Sequence, residues 1–206
     1  MFFVFDGLDG SGKTTQLDRF VISLEALDRT VVVAKDPGTT ALGEQLRSIL
    51  LNSSDMPIHM RAEMMMFTTA RTQLVEEIVR PALANDHIVV LDRYVLSTVV
   101  YQGIAGKLDP DSIRTINQIA TDDIWPDHTF ILDLPVDVAM GRLGKDLDRM
   151  ESRGKSYFEK VRKGFVDEAN ARDDVTLIDA NRTPDEIEAS IRTVAQSHFG
   201  LFGEAN

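Results

Sequence analysis

The stretch FDGLDGSGKTTQ, residues 5–16, contains the most informative pattern of this chain. The apolar run Phe2–Phe5 leads into it and is typical of a buried strand. Gly7 is followed after four residues by Gly12–Thr14, and the apolar spacing of Gln16–Leu27 predicts a helix. A strand, a glycine-rich loop and a helix in this order predict a phosphate-binding P-loop.

The residue types of the loop fit that chemistry. Glycines let backbone N–H groups converge on phosphate oxygens at the start of a helix. Lys13 can reach the β- and γ-phosphates, and the Thr14 hydroxyl can bind Mg²⁺. The residues predicted to hold the phosphates of the bound nucleotide are Gly7, Leu8, Asp9, Gly10, Ser11, Gly12, Lys13, Thr14 and Thr15.

Further apolar runs alternate with helical patterns along the rest of the chain. They are Val31–Ala34, Ile88–Leu91, Thr129–Leu132 and Val175–Ile178. This alternation predicts an α/β fold of the P-loop NTPase type, with a five-stranded parallel sheet and helices on both faces. Ligands of such sheets bind beyond the carboxyl ends of the strands, so the informative side chains should follow each run.

Composition narrows the class of protein. A chain of 206 residues with 43% hydrophobic content fits a single domain, residues 1–206. It contains no cysteine, which excludes disulfides and thiolate metal sites and agrees with a reducing compartment. No apolar stretch reaches the length of a membrane span, so we expect a soluble cytoplasmic protein. The net charge of −11 argues against nucleic acid or a membrane surface as a partner.

An apolar strand that ends in an acid is the Walker B arrangement, and Asp92 occupies that position. Its carboxylate would help to organise Mg²⁺, while Arg93 beside it would clamp a second phosphate group. In the helix that follows, Thr98 and Gln102 are four residues apart and share a face. The alternative is an ordinary surface pair at a strand end; a P-loop in the same sheet favours the functional interpretation.

The segment EMMMFTTARTQL, residues 63–74, is strongly helical. Phe67 and Arg71 lie four residues apart, so a flat ring and a guanidinium group would project from one face. Such a pair can stack on a base and hydrogen-bond its edge. The apolar run 64–67 is equally typical of core packing, and on its own it would favour the core.

The order and spacing of these segments resemble those of the thymidylate kinase family over nearly the whole chain. The segments that carry the resemblance are FDGLDGSGKTTQ (5–16), DPGTTALGEQLR (36–47), FTTAR (67–71), DRYVLSTVVYQG (92–103), LDRMES (147–152) and IDANRTPDEI (178–187). The resemblance implies transfer of the γ-phosphoryl group of ATP to dTMP, with Mg²⁺ as cofactor, by a homodimer. It points to the helices that begin near Ala62 and after Asp92 as interface elements, although their apolar faces are equally typical of core packing.

The resemblance also assigns roles in binding the acceptor base. Phe67 would stack on thymine, and Arg71 would bond its carbonyl edge. Thr98 and Gln102 would complete the recognition of the base.

Further roles concern sugar and phosphates. Arg93 would bind the dTMP phosphate, with Arg47 as a second candidate there. Tyr101 would stand where a ribose 2′-hydroxyl would clash, and Asp9 would accept a hydrogen bond from the 3′-hydroxyl or from a Mg²⁺-bound water. Arg182 would lie beside the adenine of ATP.

The chain departs from the family pattern at two places. Asp36 stands where the family usually has glutamate, which leaves its role as a substrate ligand open. Gly10 occupies a P-loop position at which some members carry arginine, so a cation for the transition state must come from elsewhere. Residues 142–163 contain eight Lys or Arg against four Asp or Glu, which predicts a short mobile lid at about residues 142–156. Within it, Arg149 matches the family best and is the predicted catalytic cation.

Two alternatives remain open on the sequence alone. A kinase for another deoxynucleotide, or for a nucleoside, would share the P-loop and the lid. A nucleotide-gated switch such as a GTPase would need a guanine-reading Asn-Lys-x-Asp segment, and the chain has none.

Overall fold

The computed structural model describes residues 1–52, 56–144 and 147–202. Its centre is a parallel sheet in the order β2-β3-β1-β4-β5. The strands are β1 (Phe2–Gly7), β2 (Val31–Lys35), β3 (Ile88–Asp92), β4 (His128–Asp133) and β5 (Val175–Asp179). The predicted fold class is confirmed, and the strands extend one or two residues beyond the predicted runs because polar residues continue the pairing.

Helices connect successive strands and cover the sheet. They are α1 (Lys13–Glu25), α2 (Ala41–Asn52), α3 (Met60–Leu74), α4 (Arg80–Ala84), α5 (Val95–Thr98), α6 (Pro110–Ala120), α7 (Val136–Arg142), α8 (Lys155–Ala171) and α9 (Pro184–Phe199). Two π-helical segments, Val75–Val79 and Val99–Ala105, continue α3 and α5, and a short 3₁₀ turn spans Glu151–Arg153.

The sheet is buried on both faces, which explains why its strands are apolar without alternation. Successive side chains of β1 point to opposite faces: Phe3 and Phe5 join one hydrophobic cluster, whereas Phe2 and Val4 join the other. Phe20 of α1 packs edge-on against Phe3. The strand is therefore fixed from both sides, and the loop that follows it starts from a rigid point.

The connection after β3 positions the cleft. Arg93 adopts a left-handed backbone conformation, with φ of 70°, and its N–H donates to the carbonyl of Phe5 on β1. Non-glycine residues with positive φ are uncommon and cluster at functional sites. This turn carries the chain from the sheet into α5, beside the P-loop.

Candidate active site

The P-loop lies between β1 and α1, as predicted. Gly7 and Gly10 have positive φ, and a Cβ at Gly7 would come within 2.6 Å of the carbonyl oxygen of Leu132. A Cβ at Gly10 would meet the carbonyl oxygen of Ala139 on α7 at 2.7 Å. Only glycine fits these two positions, and α7 occupies the space beside Gly10.

Opposite charges converge on the loop. Arg93 donates to Asp9 at 2.6 Å and to Asp6 at 3.1 Å, and it also donates to Ser97. Lys13 donates to the carbonyl of Leu8 at 2.8 Å and lies 3.7 Å from Asp9. The predicted residues Lys13 and Arg93 thus both contact the predicted residue Asp9.

Burial and charge shift the pKa values of this cluster in different directions. Burial raises the pKa of Asp9, but the Arg93 and Lys13 charges outweigh that effect and hold it well below the usual value. The pKa of Lys13 is lowered, because burial and Arg93 outweigh the nearby acids. Burial likewise raises the pKa of Asp6, against the opposing charge of Arg93. Asp9 is therefore an anion across the physiological range and can accept hydrogen bonds.

Arg71 is buried at the head of a second group of polar side chains. Its Nε donates to Asp36 at 2.5 Å and its Nη1 donates to Asn117 at 2.5 Å. Its Nη2 donates to the carbonyl of Tyr94 at 3.2 Å and to Thr98 at 2.9 Å. A guanidinium group has five N–H donors, so one donor on Nη1 remains for a ligand.

Arg71, Asp36 and Thr98 line a cavity, which we call the inner cavity. Its lining consists of Asp9, Asp36, Pro37, Arg47, Leu51, Phe67, Arg71, Arg93, Ser97, Thr98, Tyr101, Gln102, Asp148 and Met150. An aromatic ring, a charged donor and a side-chain amide facing one space are what recognition of a planar polar ring requires. The structure therefore brings together the four residues predicted to bind the base.

Tyr101 closes the inner cavity at the side of Arg93. The Arg93 Cζ lies 5.3 Å from the centre of the Tyr101 ring. Burial raises the pKa of Tyr101, and its hydroxyl is buried without a hydrogen-bond partner in the part of the chain that the structure describes. A buried hydroxyl of this kind is ready to bond a ligand or a water.

A second cavity, which we call the P-loop cavity, lies beside the first. Its lining consists of Asp9, Gly10, Gly12, Lys13, Thr14, Thr15, Lys35, Asp36, Arg47, Asp92, Arg93, Leu143 and Glu151. Asp9, Asp36, Arg47 and Arg93 line both cavities. Arg47 also donates to the carbonyl of Pro37 at 3.0 Å. Two cationic side chains therefore stand at the boundary between the two spaces.

The P-loop cavity also contains the residues predicted to hold a metal. The Asp92 Oδ1 is buried and has no hydrogen-bond partner among the described residues, and Thr14 lines the same cavity. Within the described ranges, no group of three or more His, Asp or Glu could hold a metal ion alone. Mg²⁺ takes one or two protein ligands plus phosphate oxygens and waters, so this donor set fits it.

The structure places Arg149 away from the P-loop. Its Nε donates to the carbonyl of Leu50 at 2.7 Å, and its Nη2 donates to Glu63 at 2.5 Å. Arg142 donates instead to the carbonyl of Gly10 at 3.2 Å. The catalytic role predicted for Arg149 stays a prediction, and the contact geometry favours Arg142 for it.

The C-terminal part of the basic stretch, residues 142–163, lies in α8. Lys155, Arg162 and Lys163 belong to α8 and form ion pairs with Asp137, Asp133 and Asp167 respectively. Ion pairing on a helix surface therefore accounts for much of the charge contrast in the sequence. Lys145 and Asp146, within the predicted lid, lie outside the described residues.

Arg182 lines neither cavity. It donates to Glu186 and Ser190 of α9, and its side chain is 42% exposed. Its predicted place beside the adenine of ATP remains a prediction.

Two buried residues that contact side chains of the site were not predicted from the sequence. Glu63 is fully buried and contacts Gln102, Arg149 and Arg153. It is an acid in an otherwise apolar helical run, four residues before Phe67, and that was the available signal. Asn117 is separated from Arg71 by 46 residues and gave no local signal.

Known proteins of one family resemble this chain over most of its length. A family model described as thymidylate kinase matches residues 5–191. The thymidylate kinase of Thermosipho africanus is 39% identical over 200 residues, which cover 97% of this chain and 99% of the relative. That of Rhodopirellula baltica is 40% identical over 190 residues, covering 92% of this chain and 77% of the relative.

A solved structure agrees with these matches. The crystal structure of thymidylate kinase from Ehrlichia chaffeensis superposes with a TM-score of 0.78 at 28% identity. The match covers 95% of this chain and 98% of that one.

Proposed function

The chain belongs to the thymidylate kinase family, and we propose that its two joined cavities transfer the γ-phosphoryl group of ATP to dTMP. The products are dTDP and ADP. The observation that carries the proposal is the boundary formed by Asp9, Asp36, Arg47 and Arg93, which line both cavities. A donor phosphate held in one cavity and an acceptor phosphate in the other would meet at those residues, as in-line transfer requires.

The inner cavity is proposed to bind dTMP. Phe67 offers a ring for stacking, and the remaining donor of Arg71 can bond a carbonyl oxygen of thymine. The buried contacts of Arg71 to Asp36 and Thr98 hold the guanidinium group in place before the ligand binds. Such preorganisation lowers the entropy cost of binding.

Arg93 and Tyr101 are proposed to bind the sugar and phosphate of dTMP. Arg93 can exchange its contact with Asp9 for the acceptor phosphate, because both lie at the boundary of the cavities. Asp9 would then be free to accept a hydrogen bond from the 3′-hydroxyl of the deoxyribose. Tyr101 lines the inner cavity and would exclude the 2′-hydroxyl of a ribose there.

The P-loop is proposed to bind the phosphates of ATP at the start of α1, where backbone N–H groups and the helix dipole favour anions. In this structure the Lys13 Nζ rests on the carbonyl of Leu8. Its flexible four-carbon stem lets the ammonium group move onto the β- and γ-phosphates. The protein thus contributes position and charge, without a covalent intermediate.

Thr14 and Asp92 are proposed to hold Mg²⁺ in the P-loop cavity, with Asp92 acting directly or through waters. When bound, the ion would supply positive charge that offsets the negative charge of the phosphates. The unpartnered buried Oδ1 of Asp92 supports this assignment.

We further propose that residues 142–156 act as a lid within a single domain, residues 1–206. Arg142 at its start contacts Gly10, and Met150 within it lines the inner cavity. A segment that touches the P-loop and also walls the acceptor cavity is suited to close when both nucleotides are bound.

A homodimer is proposed from apolar side chains that the chain leaves exposed on adjacent helices. Leu42 and Ile49 of α2 and Met65 of α3 are 39%, 37% and 49% exposed. The other predicted interface element, α5, is buried within the chain's own core. Sedimentation of the wild type against Ile49→Glu would test the interface, since a charge there should give a monomer.

No helix among the described residues is long and apolar enough to span a membrane.

An acceptor panel tests the proposed function. With ATP and Mg²⁺, we expect turnover with dTMP to exceed that with dUMP, dCMP and AMP. Faster turnover with another monophosphate would identify a different kinase. Nucleotide hydrolysis that no acceptor accelerates would instead indicate a nucleotide-gated switch.

A further inference from the structure

Glu63 is a buried acid that links α3, the helix that carries Phe67 and Arg71, to the proposed lid. Its Oε1 accepts a hydrogen bond from the Gln102 Nε2 at 2.8 Å. Its Oε2 accepts from Arg149 and from Arg153, each at 2.5 Å. The side chain is fully buried, so its charge is stabilised by these three donors and not by water. A buried carboxylate between two guanidinium groups is compensated rather than isolated.

This arrangement fixes which way the amide of Gln102 points. A carboxylate only accepts hydrogen bonds, so the amide must turn its nitrogen toward Glu63. The amide oxygen then lies on the other branch of the planar group, and Gln102 lines the inner cavity. Gln102 thereby offers a defined acceptor to whatever ring occupies that cavity.

The orientation of the amide matters because thymine and cytosine differ at the same edge. Thymine carries a donor at N3 and an acceptor at position 4, whereas cytosine carries an acceptor at N3 and a donor amine at position 4. An amide oxygen pairs with the N3–H of thymine and faces the lone pair of cytosine N3 unfavourably. Buried polar groups left without a partner are what makes such a site reject the wrong base.

We propose that Glu63 is a positioning residue that selects thymine over cytosine by holding the Gln102 amide in one orientation. The inference rests on the proposed function, since it takes the inner cavity to be the dTMP site. Glu63 does not touch the base in this account; it acts only through Gln102. Arg149 and Arg153 belong to the same device, because they occupy the second oxygen of the carboxylate.

Glu63→Gln is the decisive variant. The two arginines would attract the new amide oxygen, so the new amide nitrogen would face Gln102. Gln102 would then have to present its oxygen to residue 63 and its nitrogen to the base. We expect kcat/KM for dTMP to fall and kcat/KM for dCMP to rise, so that their ratio drops by at least about tenfold, or about 1.4 kcal/mol.

Two further variants separate positioning from general damage. Glu63→Asp keeps an acceptor-only group, so both kcat/KM values should fall while their ratio stays within about threefold of the wild type. Glu168→Gln removes the acid of another short ion pair, with Arg114, outside both cavities, and should leave the ratio unchanged. The proposal is overturned if folded Glu63→Gln has the wild-type ratio of kcat/KM for dTMP to kcat/KM for dCMP. It is also overturned if Glu63→Asp lowers this ratio as much as Glu63→Gln does.

A measurement on the wild type keeps the proposal testable if Glu63→Gln does not fold. Neutron crystallography of the dTMP complex should locate both deuterons on the Gln102 nitrogen beside Glu63, and the N3 deuteron of thymine directed at the Gln102 oxygen. The reverse assignment overturns the proposal. Failure of the wild type to phosphorylate dTMP would instead contradict the proposed function itself.

Discussion

Arg71 is a single buried side chain on which both the stability of the fold and the proposed binding of the base depend. Its ion pair with Asp36 has side-chain exposures of 1% and 0%. Burial raises the pKa of Asp36 while the Arg71 charge lowers it, and burial has the larger effect. The pair is held by mutual compensation, so removal of either partner leaves a buried charge alone.

Arg71→Ala should therefore lower the free energy of unfolding by about 3–5 kcal/mol and raise the KM for dTMP. The double variant Arg71→Met with Asp36→Asn should recover much of that stability but not the affinity for dTMP. Denaturant unfolding and steady-state kinetics measure the two effects. Equal increases in the KM values for ATP and dTMP would argue against a role of Arg71 in binding the base.

Lys13 is a buried cation that lines the P-loop cavity. Lys13→Ala should lower kcat by about 100-fold to 1,000-fold with the fold intact, because it removes a charge from the transferring phosphoryl group. Lys163→Ala, which removes an exposed lysine paired with Asp167, is the matched control and should have normal turnover. Near-normal kcat in Lys13→Ala would remove Lys13 from the site.

Among single residues, those fixed by a local motif were predictable and those fixed by distant contacts were not. Lys13 and Thr14 followed from the glycine spacing of the P-loop. Arg93 was predicted as a phosphate ligand, but its contacts with Asp6 and Asp9 span more than 80 residues of sequence. The spacing of residues along the chain does not reveal pairs that are so distant in the sequence.

Local elements carry the catalytic geometry. The helix after β3 was predicted from its spacing, yet after α5 it continues as a π-helix over Val99–Ala105. A π-helix widens the turn and often marks a functional site. Tyr101 and Gln102 lie in it and both line the inner cavity. A spacing of four residues cannot distinguish the two helix types, so the sequence predicted the shared cavity without the correct backbone.

Arg142 and Arg149 both lie in the proposed lid, and their variants should differ in effect. If the cation comes from the start of the lid, Arg142→Ala should slow single-turnover phosphoryl transfer at least tenfold, a barrier change of about 1.4 kcal/mol or more. Arg149→Ala should change the chemical step by less than about threefold and lower stability instead, because Arg149 contacts Glu63 and Leu50. A slow chemical step in Arg149→Ala, with a normal chemical step in Arg142→Ala, would favour Arg149 as the catalytic cation.

The whole molecule was the most predictable level. Five apolar runs separated by helical patterns have few arrangements as a parallel sheet, because crossovers are right-handed and helices must cover both faces. The ends of the strands then place the P-loop, Asp36 and Asp92 at one edge. The placement of residues 147–153 was not predictable, since it depends on contacts with α2 and α3.

Stability of the whole fold should depend on pH through His128, the first residue of β4. Burial and the neighbouring His198 lower the pKa of His128 to about 4, while Asp174 acts in the opposite direction. An unfolded histidine has a pKa of about 6.5, so the unfolded state takes up the proton first as pH falls. The His128 contribution is therefore complete above about pH 6.5 and is lost on acidification toward pH 4.

Comparison with His128→Gln isolates that contribution, because all other groups titrate in both proteins. The difference in unfolding free energy between wild type and variant should be constant above pH 7. It should shrink by about 2–3 kcal/mol between pH 6.5 and pH 4. Parallel stability curves across that range would show that His128 does not titrate as described.

If the two joined cavities act as proposed, they pass one phosphoryl group directly from ATP to dTMP. The most direct test is to count ADP and dTDP in the same reaction of the purified protein with ATP, Mg²⁺ and dTMP. We expect one dTDP for each ADP, with little ADP formed when dTMP is omitted. Formation of ADP without an equal amount of dTDP would contradict it.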